Sequence, residues 1–333
     1  MAIKRKIQLT GKSTYTVSLP REWIEKFKIE QGEELSIFEQ SDGSLLISKE
    51  SISLGREKEI EIDIDKIADT SLLEKIIISK YLAGYTKIFM HSKNDITPKF
   101  RKSISTTVNN LIGSEIISEG IKEIEIRDLA IHGEFPIDKA LRRAHLIARN
   151  MQTVTIDALI KSDVDSAMDI FEREASVDRL YFLIRREIIT ALENPAFLKE
   201  IDLKPHEVLY IYPVAKSLEK IADHCESIAQ SIIELKEKQM TQITKDYLLK
   251  YSNEAVEIHT QAIQAFLSKK LDLAFKAIEI YENLHKNLTE KTLSRKRETD
   301  IDVEIQIQLV ERNLDRICGY SVDIAEMAID RIQ

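Results

Sequence analysis

Two acidic pairs at helical spacing carry the strongest chemical signal in this chain: Glu174 with Asp178 in "EREASVD", and Glu219 with Asp223 in "LEKIAD". On a helix, residues i and i+4 project from one face about 5–6 Å apart, so each pair supplies two carboxylates on one wall. Two such walls facing each other in a bundle offer four hard oxygen donors, a set suited to a divalent or trivalent ion of iron, zinc, manganese or magnesium. Without a cation, the same cluster repels itself and its pKa values rise. Acidic pairs at this spacing also arise on solvated helix faces, and a chain with 56 acidic residues contains others, Glu311 with Asp315 among them. Placement distinguishes the two pairs. Ala167, Phe171, Glu174, Asp178 and Tyr181 form one column, as do Tyr212, Ala215, Glu219 and Ala222, so the acids interrupt apolar stripes. Buried carboxylates need compensation, and a metal is one form of it.

Other chemistries find less support. A di-iron oxidase wants Glu-x-x-His on two helices; one instance exists, Glu282 to His285, and the corresponding positions in the other repeat are Ala175 and Asp178. His145, His206, His224 and His259 are read as single surface or core residues, and Cys225 and Cys318 as buried small hydrophobes. The glycines in "LAGYTK" and "LIGSE" are isolated turn or cap residues rather than a phosphate loop, and no nucleophile–base triad is proposed. The expectation is a protein that is not an enzyme.

Three segments with different periods must position these residues. Residues 1–52 alternate like short strands ("KIQL", "TYTVSL", "ELSIFEQ", "LLISKE"), with "SDGS" as a hairpin turn and "REWIEKFKI" as one short helix entered through Pro20. About 50 residues supply too little core to stand alone, so this segment is expected to dimerise. Residues 57–130 read strand, helix, strand, helix, strand, a small βαβαβ domain in which "ITPKFRKSISTTVNNLIGSEIISEG" is taken as the second helix. Residues 137–333 are all α, with helices near 137–161, 164–193, 205–237, 242–267, 271–294 and 302–332, which suggests helix bundles.

The helical part is duplicated. "KSLEKIADHCESIAQ" from 216 aligns with "RNLDRICGYSVDIAE" from 312, and "DSAMDIFEREASVDRL" from 165 with "DLAFKAIEIYENLHKN" from 272. The chain thus divides into repeats at about 137–238 and 242–333, each a three-helix bundle. The second repeat meets Glu174 with Tyr281, Asp178 with His285 and Asp223 with Gly319, retaining only Asp315 at the position of Glu219. Glu226, met by Val322, reads as an ordinary polar residue.

Hydrophobic residues make up 43% and charged residues 31% of the 333, with only nine Gly and six Pro, a composition suited to helix-rich globular domains. There is no apolar run long enough to span a membrane and "MAIKRKIQLT" lacks a signal-peptide core, so the reading expects a cytoplasmic protein with no membrane insertion. Net charge is -8, which confines any nucleic-acid contact to a local patch. Residues 1–28 provide one: Lys4, Arg5, Lys6, Lys12, Arg21, Lys26 and Lys28 stand against only Glu22 and Glu25. Two copies in a dimer would double that field. Ser13, Thr14 and Tyr15 could donate to phosphates or merely satisfy the turn, and Trp23 reads as a core anchor.

"EREASVDRLYFLIRREI" and "KSLEKIADHCESIAQSI" resemble the paired helices of PhoU proteins, regulators of phosphate uptake, and "RNLDRICGYSVDIAEMAI" resembles the second repeat of that family. The resemblance covers about residues 137–333. It implies two three-helix bundles, metal clusters on the acidic face, and regulation of phosphate transport through contacts with the transporter or a signalling protein. Position by position it implicates Glu174, Asp178, Glu219 and Asp223 in one metal site, with Asp315 a weaker remnant of another. "GKSTYTVSLPREWIEKFKIEQGEELSIFEQSDGSLLI" is similar to the AbrB/MazE-type swapped-hairpin domain, with Leu19, Pro20 and Arg21 at its conserved step and Gly32 before a strand. That similarity implies a β-barrel shared in an intertwined homodimer and DNA contacts through Lys4, Arg5, Lys6, Lys12, Ser13 and Arg21. The combination resembles the archaeal form of the regulator. It points to a DNA-binding transcriptional regulator of phosphate uptake, or alternatively to a signalling adaptor that docks on the phosphate transporter and uses the N-terminal domain only to dimerise.

Overall fold

The structure is a computed structural model that describes residues 3–39, 43–49, 58–130, 135–194, 197–198, 201, 203–236, 238–294 and 297–332, with the backbone alone for 287–294. It forms two compact units, 1–56 and 57–333.

In the first unit, β1 (Gln8–Thr10) and β2 (Thr14–Thr16) make an antiparallel hairpin in which Leu9 faces Tyr15. Gly11 at φ +71° turns it, a conformation that L side chains avoid. Helix α1 (Arg21–Lys26) follows, then β3 (Ser36–Glu39) pairs antiparallel with β4 (Leu45–Ser48), with Ile37 opposite Ile47. The expected "SDGS" turn includes Ser41 and Asp42, which lie outside the described residues. The expected barrel is one shared by two copies; among the described residues of this unit no closed barrel is found, and its strands form two separate two-stranded sheets. Strands of three and four residues cannot enclose a core, and none of the described residues of this unit is buried. Ile7, Leu9, Tyr15, Val17, Ile37 and Leu45 are all exposed. Trp23 is half-buried against Phe27, ring centroids 5.7 Å apart, rather than the anchor of a core.

The second unit begins with an α/β layer: β5 (Glu59–Asp63), α2 (Thr70–Leu82), β6 (Lys87–His91), α3 (Pro98–Asn109), β7 (Ser114–Glu119) and β8 (Glu123–Asp128). Asp69 and Thr97 cap α2 and α3 by accepting from Leu72 N and Phe100 N, and Pro98 sits where its missing N–H costs nothing. The sheet order is β5-β6-β8-β7, with β5 parallel to β6 and the other pairs antiparallel. Ile62, Ile88, Met90, Ile124 and Ile126 point to one face and pack on Leu73, Ile77 and Ile104. The layer is therefore βαβαββ rather than βαβαβ, because the expected second helix stops at Asn109. Gly113 reverses the chain there at φ +86°, where a Cβ would lie 2.5 Å from that of Ala130. The β-branched pair Ile116 and Ile117 then continues as β7, with a register shift between Ile116 and Ser118.

The α/β layer is fastened to the helical part by Arg186. This side chain, 1% exposed, donates to the Asp128 carboxylate and the Tyr81 carbonyl, and to Tyr85 O at 3.2 Å, while its guanidinium stacks 4.5 Å over the Tyr81 ring. Lys58 adds an ion pair with Glu193 at 2.7 Å.

Six long helices follow: α4 (Ile137–Lys161), α5 (Val164–Glu193), α6 (Val208–Leu235), α7 (Gln242–Ser268), α8 (Leu271–Ser294) and α9 (Ile301–Ile332). These agree with the expected helices to within a few residues. One apolar core runs through both bundles and includes Cys225 and Cys318, both free and fully buried as expected. The duplication is visible in the backbone. The α4–α5 turn at Ser162 (φ 56°) recurs as the α7–α8 turn at Lys269 (φ 55°), and Gln152 of α4 bonds to His259 of α7, 107 residues further on, at 2.6 Å. That separation is the repeat offset aligning Asp165 with Asp272, so equivalent positions of the two repeats meet in the core.

Candidate metal centre

Helices α5 and α6 bring the two acidic pairs together. The walls face each other: the Tyr181 and Tyr212 hydroxyls lie 3.4 Å apart, and Ala167, Ala215 and Ala222 are fully buried around the acids. Small alanines let the helices approach, which is why the carboxylates meet instead of fanning into solvent. One oxygen each from Glu174, Asp178 and Asp223 lie within 4.8 Å of one another. Three of the four expected ligands thus converge.

Glu219 does not join that group. It is the most buried of the four, 8% exposed, yet its Oε1 accepts from Lys216 Nζ at 2.6 Å and its Oε2 lies 3.4 Å from Lys220 Nζ without an aligned hydrogen bond. Lys220 also donates to Asp223 Oδ2 at 2.5 Å. Both lysines lie on the same strip as the acids, i and i+4 from one another.

The electrostatics of the wall are those of uncompensated acids. Burial, then the charges of Asp178, Glu226, Asp223 and Glu219, push the Glu174 carboxyl up to about 8. Burial and the charges of Glu219 and Asp223 raise Asp178 to about 6. Glu226 is raised by burial and by Asp223, and it acts on Glu174, so it is a neighbour of the cluster rather than an unrelated polar residue. Buried oxygens of Asp178 (Oδ1) and Glu219 (Oε2) have no hydrogen-bond partner. Orphaned buried carboxylate oxygens are what a bound cation would satisfy, and the all-oxygen donor set fits a hard divalent or trivalent ion.

The second repeat is different. Asp315 sits 3.0 Å from His285 Nε2, and Tyr281 packs edge-on against that imidazole at 4.4 Å. Asp315 is not gathered with other ligands among the described residues. Three histidines read as isolated are in fact partnered. His145 Nδ1 lies 3.2 Å from His259 Nε2 in the core between the repeats, and His224 Nδ1 donates to Asn313 Oδ1 at 2.8 Å. Asn313 is oriented by its own bond to Leu309 O. Burial pushes His145 down to about 4 and holds His259 well below its ordinary value, so both are neutral polar joints.

In the N-terminal unit the expected DNA-contacting residues are all exposed. Lys4, Arg5 and Lys6 lead into β1, and Lys12 and Ser13 form the hairpin tip. Arg21 opens α1 and pairs with Glu25 at 2.8 Å.

Comparison with known proteins follows this division. Residues 141–232 match the PhoU domain, a span that takes in Glu174, Asp178, Glu219 and Asp223, and residues 8–54 match the family of MazE bacterial antitoxins that serve in antidote–toxin recognition. A PhoU homologue of Pseudomonas putida, a phosphate-specific transport system accessory protein, is 31% identical over 88 residues, 26% of this chain and about a third (32%) of that one. A second PhoU homologue, from Thermotoga maritima, is 22% identical over 200 residues, 59% of this chain and 83% of its relative. The crystal structure of PhoU from Pseudomonas aeruginosa aligns with 58% of this chain and 93% of its own, at 20% identity and a TM-score of 0.47. The acidic cluster of the first repeat thus lies within the span that is similar to the PhoU domain, and the N-terminal span is similar to a MazE-type antitoxin domain.

Proposed function

We propose that this protein is a non-catalytic regulator of phosphate transport whose helical part binds a divalent or trivalent cation through Glu174, Asp178 and Asp223. The observation that carries the reading is the convergence of three half-buried carboxylates from two helices inside the PhoU-matched span, next to buried oxygens without partners. A cation bound there supplies positive charge shared between α5 and α6 and a position to which an anion such as phosphate can bind. Iron, zinc, manganese and magnesium all suit the oxygen set. The named relatives, accessory proteins of phosphate-specific transport systems, support a regulatory role in phosphate transport. The N-terminal unit acts as a homodimer on DNA, with Lys4, Arg5, Lys6, Lys12, Ser13 and Arg21 toward the phosphates.

A gel-shift titration against the gene's own upstream DNA at two salt concentrations tests the DNA reading. Binding at low salt that weakens at high salt supports it, as expected for phosphate contacts. No binding at low salt removes it. A second reading then stands on the exposed apolar residues of both hairpins, Leu9, Tyr15, Ile37 and Leu45, which a second copy of the chain would cover. In that reading the protein is an adaptor docking on the phosphate transporter or a signalling partner, and the N-terminal unit only dimerises.

A further inference from the structure

The two lysines of α6 do something that neither the acid spacing nor the family match assigns. We infer that Lys216 and Lys220 are built-in counter-ions which a cation must displace, and that they hold the site to a single ion of charge two or more. The inference rests on the metal-binding reading above.

The two walls are neutralised unequally. On α6, Lys216, Glu219, Lys220 and Asp223 share one face at spacings of three and four, and every ammonium–carboxylate contact is made: Lys216 to Glu219 at 2.6 Å, Lys220 to Asp223 at 2.5 Å and to Glu219 at 3.4 Å. On α5, no ammonium lies within ion-pair distance of Glu174 or Asp178 among the described residues. Asp223 therefore belongs both to the converging three carboxylates and to the lysine network. A cation gathered by Glu174, Asp178 and Asp223 competes with Lys220 for the same side chain.

Charge decides that competition. With a cation bound, which would keep all four carboxylates ionised against the raised Glu174 and Asp178, the two ammonium groups leave a formal charge of minus two, which one divalent ion neutralises. A monovalent ion brings no more charge than the ammonium it replaces, so it gains nothing from the exchange. A second divalent ion has charge to balance only if both lysines leave. Glu219, held by both lysines outside the three-carboxylate group, is then a positioning residue that keeps the ammonium groups at the site, not a ligand.

Both lysines have somewhere to go. Lys216 Nζ already lies 4.8 Å over the Tyr181 ring, which can retain it when Glu219 is released. Lys220 has no such ring to turn to, since His224 stands where the second repeat has Tyr320, but on leaving Asp223 it keeps Glu219, whose Oε2 lies 3.4 Å away. In the second repeat Arg316, at the position of Lys220, bonds instead to the Tyr320 hydroxyl at 2.8 Å.

Calorimetric titration of the full-length chain with Mn2+, together with metal counting by mass spectrometry, tests this. The wild type is expected to bind one Mn2+ per chain. Lys220→Met, which keeps the apolar stem, should bind it about tenfold more tightly, and Lys216→Met with Lys220→Met should bind a second ion. Lys220→Arg, which keeps the charge, should stay near wild type. Glu219→Gln should change the affinity less than tenfold, while Asp223→Asn should weaken it far more. Mn2+ bound by the wild type with unchanged affinity and one ion in the lysine variants, folded by circular dichroism, overturns the exchange and leaves the site standing. Mn2+ bound by none of these proteins overturns the metal reading and this inference with it.

Discussion

The two repeats hold one backbone and two chemistries. The first presents Glu174, Asp178, Glu219 and Asp223 on facing helices, and the second presents Tyr281, His285, Asp315 and Gly319 at the same places. Their turns match at Ser162 and Lys269, and they share a buried joint at Gln152 and His259. Yet the first wall gathers three carboxylates within reach of one ion, with Glu174 raised to about 8, while in the second Asp315 lies 3.0 Å from the His285 imidazole and is not gathered with other ligands among the described residues. What a helix pair does is set by a handful of side chains on its facing strips. The apolar residues that hold it together permit either outcome.

The repeats differ also in what they carry, and this predicts the largest effect. Among the described residues, the buried ion pair to the α/β layer comes from α5 of the first repeat, where Arg186 is clamped against Asp128. Arg186→Ala leaves a buried carboxylate uncompensated and should cost about 3–5 kcal/mol, read from urea unfolding of the full chain. A loss below about 1 kcal/mol would break the idea that the first repeat is the anchored one.

Next in size is the ligand contrast. Asp223→Ala should weaken Mn2+ binding about 100-fold, or ~2.7 kcal/mol, whereas Asp315→Ala in the second repeat should leave it within about threefold. Equal losses at the two positions would erase the distinction drawn between the repeats.

A smaller effect follows from protonation. Glu174 is raised from its ordinary 4.5 to about 8, and Asp178 from 3.8 to about 6, so the folded chain holds more protons than the unfolded one between those values. Stability contributed by the two protonated acids is complete below about pH 4 and is lost as pH rises through 6 and then 8. Both groups are partly in water, so the loss is modest. Melting temperatures of the metal-free chain should fall across that range, and Glu174→Gln with Asp178→Asn should flatten the fall. An unflattened curve would place its source elsewhere.

How much of this the sequence reveals depends on whether the cause is local. The six long helices are legible to within a few residues because their apolar stripes have the 3.6-residue period and their ends carry caps such as Asp163 and Thr241. Three of the four acids do converge, since spacing fixes which face they share. Strand β7 is hidden because its isoleucines continue the apolar run of α3, and only the positive φ of Gly113 separates the two. The His145–His259 contact spans 114 residues of sequence and has no local signature. The displacement of Glu219 from the ligand group goes with Lys216 and Lys220 of its own helix, and the i,i+3 spacing of Lys216 and Glu219 is a local signal present in the sequence.

The smallest effect is the most direct comparison of all, because Gly319 stands where the first repeat has Asp223. It lies inside α9, its φ is not positive, and a Cβ built on it meets nothing within 4 Å. Gly319→Ala should therefore stabilise the chain by about 0.5–1 kcal/mol, the helix penalty of glycine removed without a clash. Gly319→Asp adds a side chain and a charge four residues from Asp315, and like charges at that spacing cost about 0.2–0.5 kcal/mol. Aspartate is also a poorer helix former than alanine by roughly 0.7 kcal/mol, so Gly319→Asn, its uncharged isostere, is the variant whose unfolding midpoint isolates the charge. If the aspartate variant is as stable as the asparagine variant, the surroundings of His285 and Asp315 can absorb another carboxylate. If it falls below, the second wall does not tolerate a further acid without a cation.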